Sequence, residues 1–197
     1  METRFGVLEV LQIAEKLEHN GSQFYKRMAK LFIPDSRRWN LCQDLADWRA
    51  GRELTLVQRR KQFYEQEAKL KPIDASDYFQ IHPDVMADLT VFANKLYPPH
   101  MPTGHESPSE IVKDAIAKTE EAITFYHGLK GFTQNQETRA VLDQIIEEEK
   151  RYICILAESP YPTGRSLRTY EQEKDVDMEK KSFLQLCSSL LVKCRNS

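Results

Sequence analysis

Glu18-His-Asn-Gly-Ser-Gln-Phe24-Tyr25 and Thr119-Glu-Glu-Ala-Ile-Thr-Phe125-Tyr126 are two versions of one segment, about a hundred residues apart. A second repeated segment follows each of them at a matching distance. It reads Leu45-Ala-Asp-Trp-Arg49-Ala-Gly-Arg52 in the first half and Ile145-Ile-Glu-Glu-Glu149-Lys-Arg-Tyr152 in the second. This duplication predicts a four-helix bundle built from two related helical hairpins.

Hydrophobic residues recur at helical spacing in four parts of the chain, each bounded by turn or capping residues. Three helices are predicted to span about 6–32, 37–69 and 135–158, and another is predicted to begin at 107–110 and has an apolar stripe that reaches residue 129. Between the second and third helices lies a long connection, in which we expect one short helix over 83–96. Two hairpins joined by such a connection have the topology of a bundle with one long crossover.

The sequence therefore predicts an all-α fold, an antiparallel four-helix bundle over residues 1–160. Residues 161–197 are predicted to form a C-terminal extension. Within it, the stretch 182–193 has the composition of a short amphipathic helix, which would dock on the bundle or on a second subunit.

Composition and charge narrow the classes of function. A net charge of -2 and a pI near 6.2 do not indicate a nucleic-acid partner. No apolar run is long enough to span a bilayer, and the first residues do not resemble a signal peptide. The four cysteines form no Cys-x-x-Cys pair, which argues against a zinc ribbon or a rubredoxin-type iron site. We expect a cytoplasmic protein with reduced thiols.

Polar residues interrupt the apolar stripes of the predicted helices at one level. Glu18 lies one helical turn from Ala14 and from Gly21, within the apolar stripe of helix 1 that continues to Tyr25, and Glu149 lies between Ile145 and Tyr152. A lone buried carboxylate costs several kcal/mol, so each of these needs a cation, a metal or a proton. By the same spacing, four more residues face inward: Arg49, Arg52, Thr119 and Tyr152.

Four segments resemble the helices of the rubrerythrin-type ferritin-like family: IAEKLEHNGSQFY, LADWRAGR, AIAKTEEAITFY and IIEEEKRY. The resemblance covers most of residues 7–158. In that family, the first and third helices each supply a Glu seven residues before the Tyr of a Phe-Tyr pair. The second and fourth each supply Glu-x-x-His, and together these residues bind two iron ions. The resemblance implies a di-iron oxidoreductase ancestry.

Only two of the six family ligands remain in this chain. Glu18 matches the ligand on helix 1, and Glu149 matches the carboxylate on helix 4. The other positions carry residues that differ from the family pattern: Arg49 for Glu and Arg52 for His on helix 2, Thr119 for Glu on helix 3, and Tyr152 for His on helix 4.

Neither arginine can coordinate iron, since a guanidinium stays charged and has no free lone pair. Four carboxylates with two Fe²⁺ ions are neutral together, and two carboxylates with two guanidiniums are neutral as well. We therefore expect Arg49 and Arg52 to pair with Glu18 and Glu149. Thr119 and Tyr152 would complete the hydrogen bonds.

The alternative is a surviving metal site with unusual ligands. It would have to recruit Glu120, Glu148 or His19, each of which points about a hundred degrees away from the inner face. A surface metal site in the proline-rich loop is a further alternative, with His100, His105 and Glu106 as its ligands.

Two functions of different classes follow from these readings. The first is a metal-free structural or binding protein, with no catalytic residues and no cofactor, that acts through its surface as a homodimer without nucleic acid or membrane. The second is an iron-dependent oxidoreductase that reduces peroxide or handles iron through an altered di-iron site. A small-molecule pocket at the vacated level of the core is a third possibility that the sequence leaves open.

Overall fold

The computed structural model describes residues 6–33, 35–70 and 102–161 of the chain. Within these ranges the protein is all-helical and contains no strand. It has four helices: α1 (Val7–Leu31), α2 (Ser36–Leu70), α3 (Pro108–Phe132) and α4 (Gln136–Ala157). The bounds of α1, α2 and α4 confirm the predicted ones to within one residue, and α3 begins where it was predicted to begin. The predicted short helix at 83–96 and the stretch 182–193 lie outside the described residues.

Capping side chains fix where three of the helices begin. Asp35 accepts hydrogen bonds from the backbone N–H groups of Arg37 (3.0 Å) and Arg38 (3.1 Å) at the start of α2. Ser107 and Glu110 form a reciprocal capping box at the start of α3, and Asn135 accepts from the N–H of Thr138 at the start of α4. These side chains satisfy backbone donors that lack a partner within the helix.

The four helices form a bundle around one hydrophobic core. α1 packs along α2, α3 packs along α4, and smaller contacts join α1 to α4 and α2 to α3. Leu45, Leu56, Ile145 and Leu156, which occupy matching positions of the two halves, are all fully buried. The core therefore follows the repeat that the sequence shows.

Not every apolar side chain of α1 is buried. Leu31 is 49% exposed because α1 ends at this residue. Phe24 is only half-buried and packs at the edge of the core. None of the described helices is both long enough and apolar enough to cross a membrane.

Two leucines of α2 offer a matched test of the core. Leu45 is fully buried and Leu54 is 65% exposed. We expect Leu45→Ala to lower the free energy of unfolding by about 2–5 kcal/mol, because it removes buried methyl groups and leaves a cavity. Leu54→Ala should change it by less than about 0.5 kcal/mol. Urea unfolding followed by circular dichroism measures both, and equal effects would contradict the packing described here.

Candidate functional site

A buried arginine lies at the centre of the bundle. Arg49 on α2 has no exposed surface, and its Nη1 donates to Glu18 Oε2 on α1 at 3.1 Å and to Glu149 Oε2 on α4 at 3.2 Å. Its Nη2 donates to Thr119 Oγ1 on α3 at 2.9 Å. One guanidinium thus links its own helix to each of the other three.

The two uncharged members of the group support this guanidinium in different ways. The Thr119 hydroxyl donates to the Ala115 carbonyl oxygen at 2.8 Å, which leaves its oxygen free to accept from Arg49. The Tyr152 ring lies 5.1 Å below the guanidinium carbon and stacks on Trp48, with ring centroids 4.7 Å apart. The face of an aromatic ring attracts a cation, so Tyr152 stabilises the charge as well as filling space.

Arg52, one turn further along α2, reaches the same two carboxylates. Its Nη2 donates to Glu149 Oε1 at 3.4 Å, and its Nε lies 3.7 Å from Glu18 Oε1. The six inward positions singled out from the sequence therefore lie together at one level of the bundle. The pairing of the two arginines with Glu18 and Glu149 is present in the geometry. We name this group the core cluster: Glu18, Arg49, Arg52, Thr119, Glu149 and Tyr152.

The two carboxyl groups of the core cluster differ in their affinity for a proton. Burial raises the pKa of Glu18 to about 7; the charge of Arg49 opposes this rise and the negative charge of Glu149 adds to it. Burial also acts on Glu149, but Arg49 and Arg52 outweigh it and hold its pKa below the usual value. Of these two neighbouring carboxyl groups, Glu18 is therefore the one that binds a proton more readily.

Arg49 and Arg52 remain charged at the pH values at which the two carboxyl groups titrate. Burial by itself lowers the pKa of Arg49, but the neighbouring carboxylates of Glu18 and Glu149 raise it well above its ordinary value. A buried guanidinium held in this way is a fixed positive charge. It can neutralise carboxylates and order hydrogen bonds, but it cannot ligate a metal ion.

The cluster continues outward through two residues that the sequence reasoning did not place in it. Glu148 on α4 was expected to point away from the inner face, yet it accepts hydrogen bonds from both Arg52 and Arg59. Its side chain is 22% exposed, so it lies at the edge of the bundle rather than in solvent. A signal was available: Arg52 and Arg59 are seven residues apart and share one face of α2.

The residues considered as alternative metal ligands are used elsewhere or lie apart. His19 contacts Glu53 across α1 and α2, with Nδ1 3.2 Å from Oε1. Glu106 accepts from the backbone N–H groups of Thr103 (2.6 Å) and Gly104 (3.0 Å), so it orders its own loop. His105 is exposed, and His100 lies outside the described residues. Within the described ranges, no three His, Cys, Asp or Glu side chains are grouped so as to hold a metal ion.

Comparisons with models of protein families, with curated proteins and with solved structures found no match to this chain.

Replacing the central arginine tests how much the bundle depends on it. Arg49→Leu leaves the carboxyl groups of Glu18 and Glu149 buried without their main cation, and we expect a loss of about 3–5 kcal/mol in the free energy of unfolding. Arg151→Leu on the exposed face of α4 is the matched control and should cost less than about 0.5 kcal/mol. Denaturant titration at neutral pH measures both. A loss in Arg49→Leu no larger than in the control would contradict a central role for this residue.

The raised pKa of Glu18 predicts a pH dependence of stability with a definite sign. Between about 4.5 and 7, the folded protein binds this proton more tightly than the unfolded chain does, so the contribution of Glu18 to stability falls as the pH rises. The slope is on the order of 1 kcal/mol per pH unit. The lowered pKa of Glu149 acts below this window.

Glu18→Gln keeps the shape of the protonated group and removes its titration. Its stability, measured by denaturant titration at a series of pH values, should gain on the wild type as the pH rises through this window. Glu137→Gln, on the exposed first turn of α4, should follow the wild-type curve. A parallel pair of curves for Glu18→Gln and wild type would show that Glu18 does not titrate there.

Proposed function

We propose that this protein is a divergent relative of the rubrerythrin-type ferritin-like proteins in which an arginine–carboxylate cluster has replaced the di-iron site. In this proposal the bundle holds no metal and acts as a structural or binding protein. The observation that carries it is the placement of the Arg49 guanidinium between Glu18 and Glu149. The positive charge that metal ions supply in the family comes here from side chains.

Charge balance supports the replacement. Two divalent cations beside Arg49 and Arg52 would be strongly repelled at these distances, since the charges lie in a region with little water to screen them. The carboxylate oxygens of Glu149 that would face a metal accept from the two guanidiniums instead, at 3.2 and 3.4 Å. Recruiting Glu148 as a ligand would require breaking its bonds to Arg52 and Arg59.

The finer points of the ferritin-like architecture are part of the proposal. Glu15 pairs with Arg60 at 2.6 Å, whereas His19, further along α1, contacts the earlier residue Glu53 on α2. This order of contacts supports an antiparallel α1–α2 hairpin. The residues between α2 and α3 would form the single long crossover.

We also propose a cytoplasmic homodimer. Cys42 and Cys154, the cysteines within the described ranges, are free thiols, which fits a reducing compartment.

Several large apolar side chains of the described part are exposed and available to a second subunit, including Ile33 (67%) and Phe132 (71%). Light scattering coupled to size-exclusion chromatography measures the mass in solution.

Metal analysis tests the central proposal in both directions. Wild-type protein expressed with ample iron should contain no stoichiometric metal. A variant that restores the family ligands should bind about two iron ions per chain, because the backbone positions still converge on one level. Its four substitutions are Arg49→Glu, Arg52→His, Thr119→Glu and Tyr152→His.

The control adds Glu18→Ala to the restored variant and should lose the iron. If the restored variant does not fold, Arg49→Glu with Arg52→His provides a smaller change with the same readout. Stoichiometric iron, manganese or zinc in the wild type would overturn the proposal. Peroxide turnover that Glu18→Ala abolishes would support the alternative, an iron-dependent oxidoreductase with an altered site.

A further inference from the structure

Two guanidiniums hold one carboxylate at the rim of the core cluster. Arg59 donates from Nη1 to Glu148 Oε2 at 3.2 Å and from Nη2 to Oε1, while Arg52 donates from Nη1 to Oε2. This is a forked contact from one arginine with a third hydrogen bond from another. Proteins use the same arrangement to bind the carboxylate or phosphate group of a ligand.

Solvent can reach this group, unlike the centre of the cluster. The side chain of Arg59 is 34% exposed, that of Glu148 is 22% exposed and that of Arg52 is 13% exposed, whereas Arg49 is fully enclosed. Glu147, the neighbour of Glu148 on α4, is 58% exposed and pairs with Lys150 at 2.7 Å. Displacing Glu148 would need a rotation of its side chain toward the exposed face of α4 that carries Glu147.

The charges around Glu148 indicate what kind of group could take its place. Within the described ranges, both hydrogen bonds of the Arg59 guanidinium go to Glu148. A guanidinium is a cation that pairs best with the two oxygens of an oxyanion. Burial favours the neutral form of Glu148, but its bonds to Arg59 and Arg52 outweigh burial and lower its pKa. The occupant of the site is thus an anion, and its replacement has to be an anion of similar shape.

We propose that Arg52 and Arg59 form a binding site for the oxyanion group of a small carboxylated or phosphorylated ligand, and that Glu148 fills this site when no ligand is bound. The inference rests on the proposed function in one respect, because it specifies a ligand for the proposed binding protein. Arg59 and Glu148 are not among the six family positions, so the two proposals have separate tests.

Isothermal titration of the full chain with succinate and with inorganic phosphate, at low ionic strength, tests the site. Wild type should bind at least one of the two probes saturably, with a Kd on the order of 1 mM. Glu148→Gln and Glu148→Ala should bind that probe about tenfold more tightly, because the competing carboxylate is gone. Tighter binding of succinate identifies a carboxylate ligand, and tighter binding of phosphate a phosphorylated one.

Two further variants complete the test. Arg59→Gln combined with Glu148→Gln should lose the gain in affinity, and Glu147→Gln, the adjacent exposed carboxylate, should bind as the wild type does. The proposal is overturned if wild type binds neither probe, if neither Glu148 variant binds more tightly, or if the gain in affinity of Glu148→Gln persists when Arg59→Gln is added. Circular dichroism confirms that each variant is folded. Metal content is measured on the same samples. Failure of the oxyanion site is thereby distinguished from failure of the proposed metal-free bundle, which would show as stoichiometric metal.

Discussion

The bundle depends on the burial of one positive charge. Removing a guanidinium from water is unfavourable by several kcal/mol, because the low-dielectric interior of a protein solvates a charge poorly. The Arg49 side chain is fully buried all the same, because Glu18, Glu149 and Thr119 supply hydrogen-bond acceptors from the three other helices. If one of these helices shifts, the arginine loses a partner that water cannot replace.

This requirement links the packing of the four helices. Hydrophobic contacts alone permit small rotations and slides of a helix, since apolar surfaces carry no directional preference. Hydrogen bonds of 2.9–3.2 Å from one guanidinium permit much less. We infer that the core cluster contributes more to the choice of a single arrangement than to the net free energy of folding, because desolvation offsets much of the Coulomb attraction.

The duplicated sequence explains why the cluster lies at one level. Arg49 and Glu149 occupy equivalent positions of the two halves, and so do Glu18 and Thr119. Arg49 and Glu149 carry opposite charges and are joined by a hydrogen bond of 3.2 Å. Glu18 and Thr119 both accept hydrogen bonds from Arg49. A repeat with a carboxylate at each of these positions would need cations to balance them; here Arg49 and Arg52 of the first half supply the positive charge for Glu18 and Glu149.

Much of the fold was predictable from the sequence because local interactions determine it. The spacing of apolar residues and caps such as Ser107 and Asn135 predicted the four helices and placed every bound except the end of α3 to within one residue. The same 3.6-residue period placed the six polar side chains on the inner faces. Tertiary structure alone decided which arginine nitrogen meets which carboxylate, and that Glu148 joins the cluster. Long side chains reach across helices by several angstroms, so their partners depend on how the helices pack and not on the residues beside them in the chain. The same holds for the raised pKa of Glu18, which comes from burial and from the nearby charge of Glu149, against the opposing charge of Arg49.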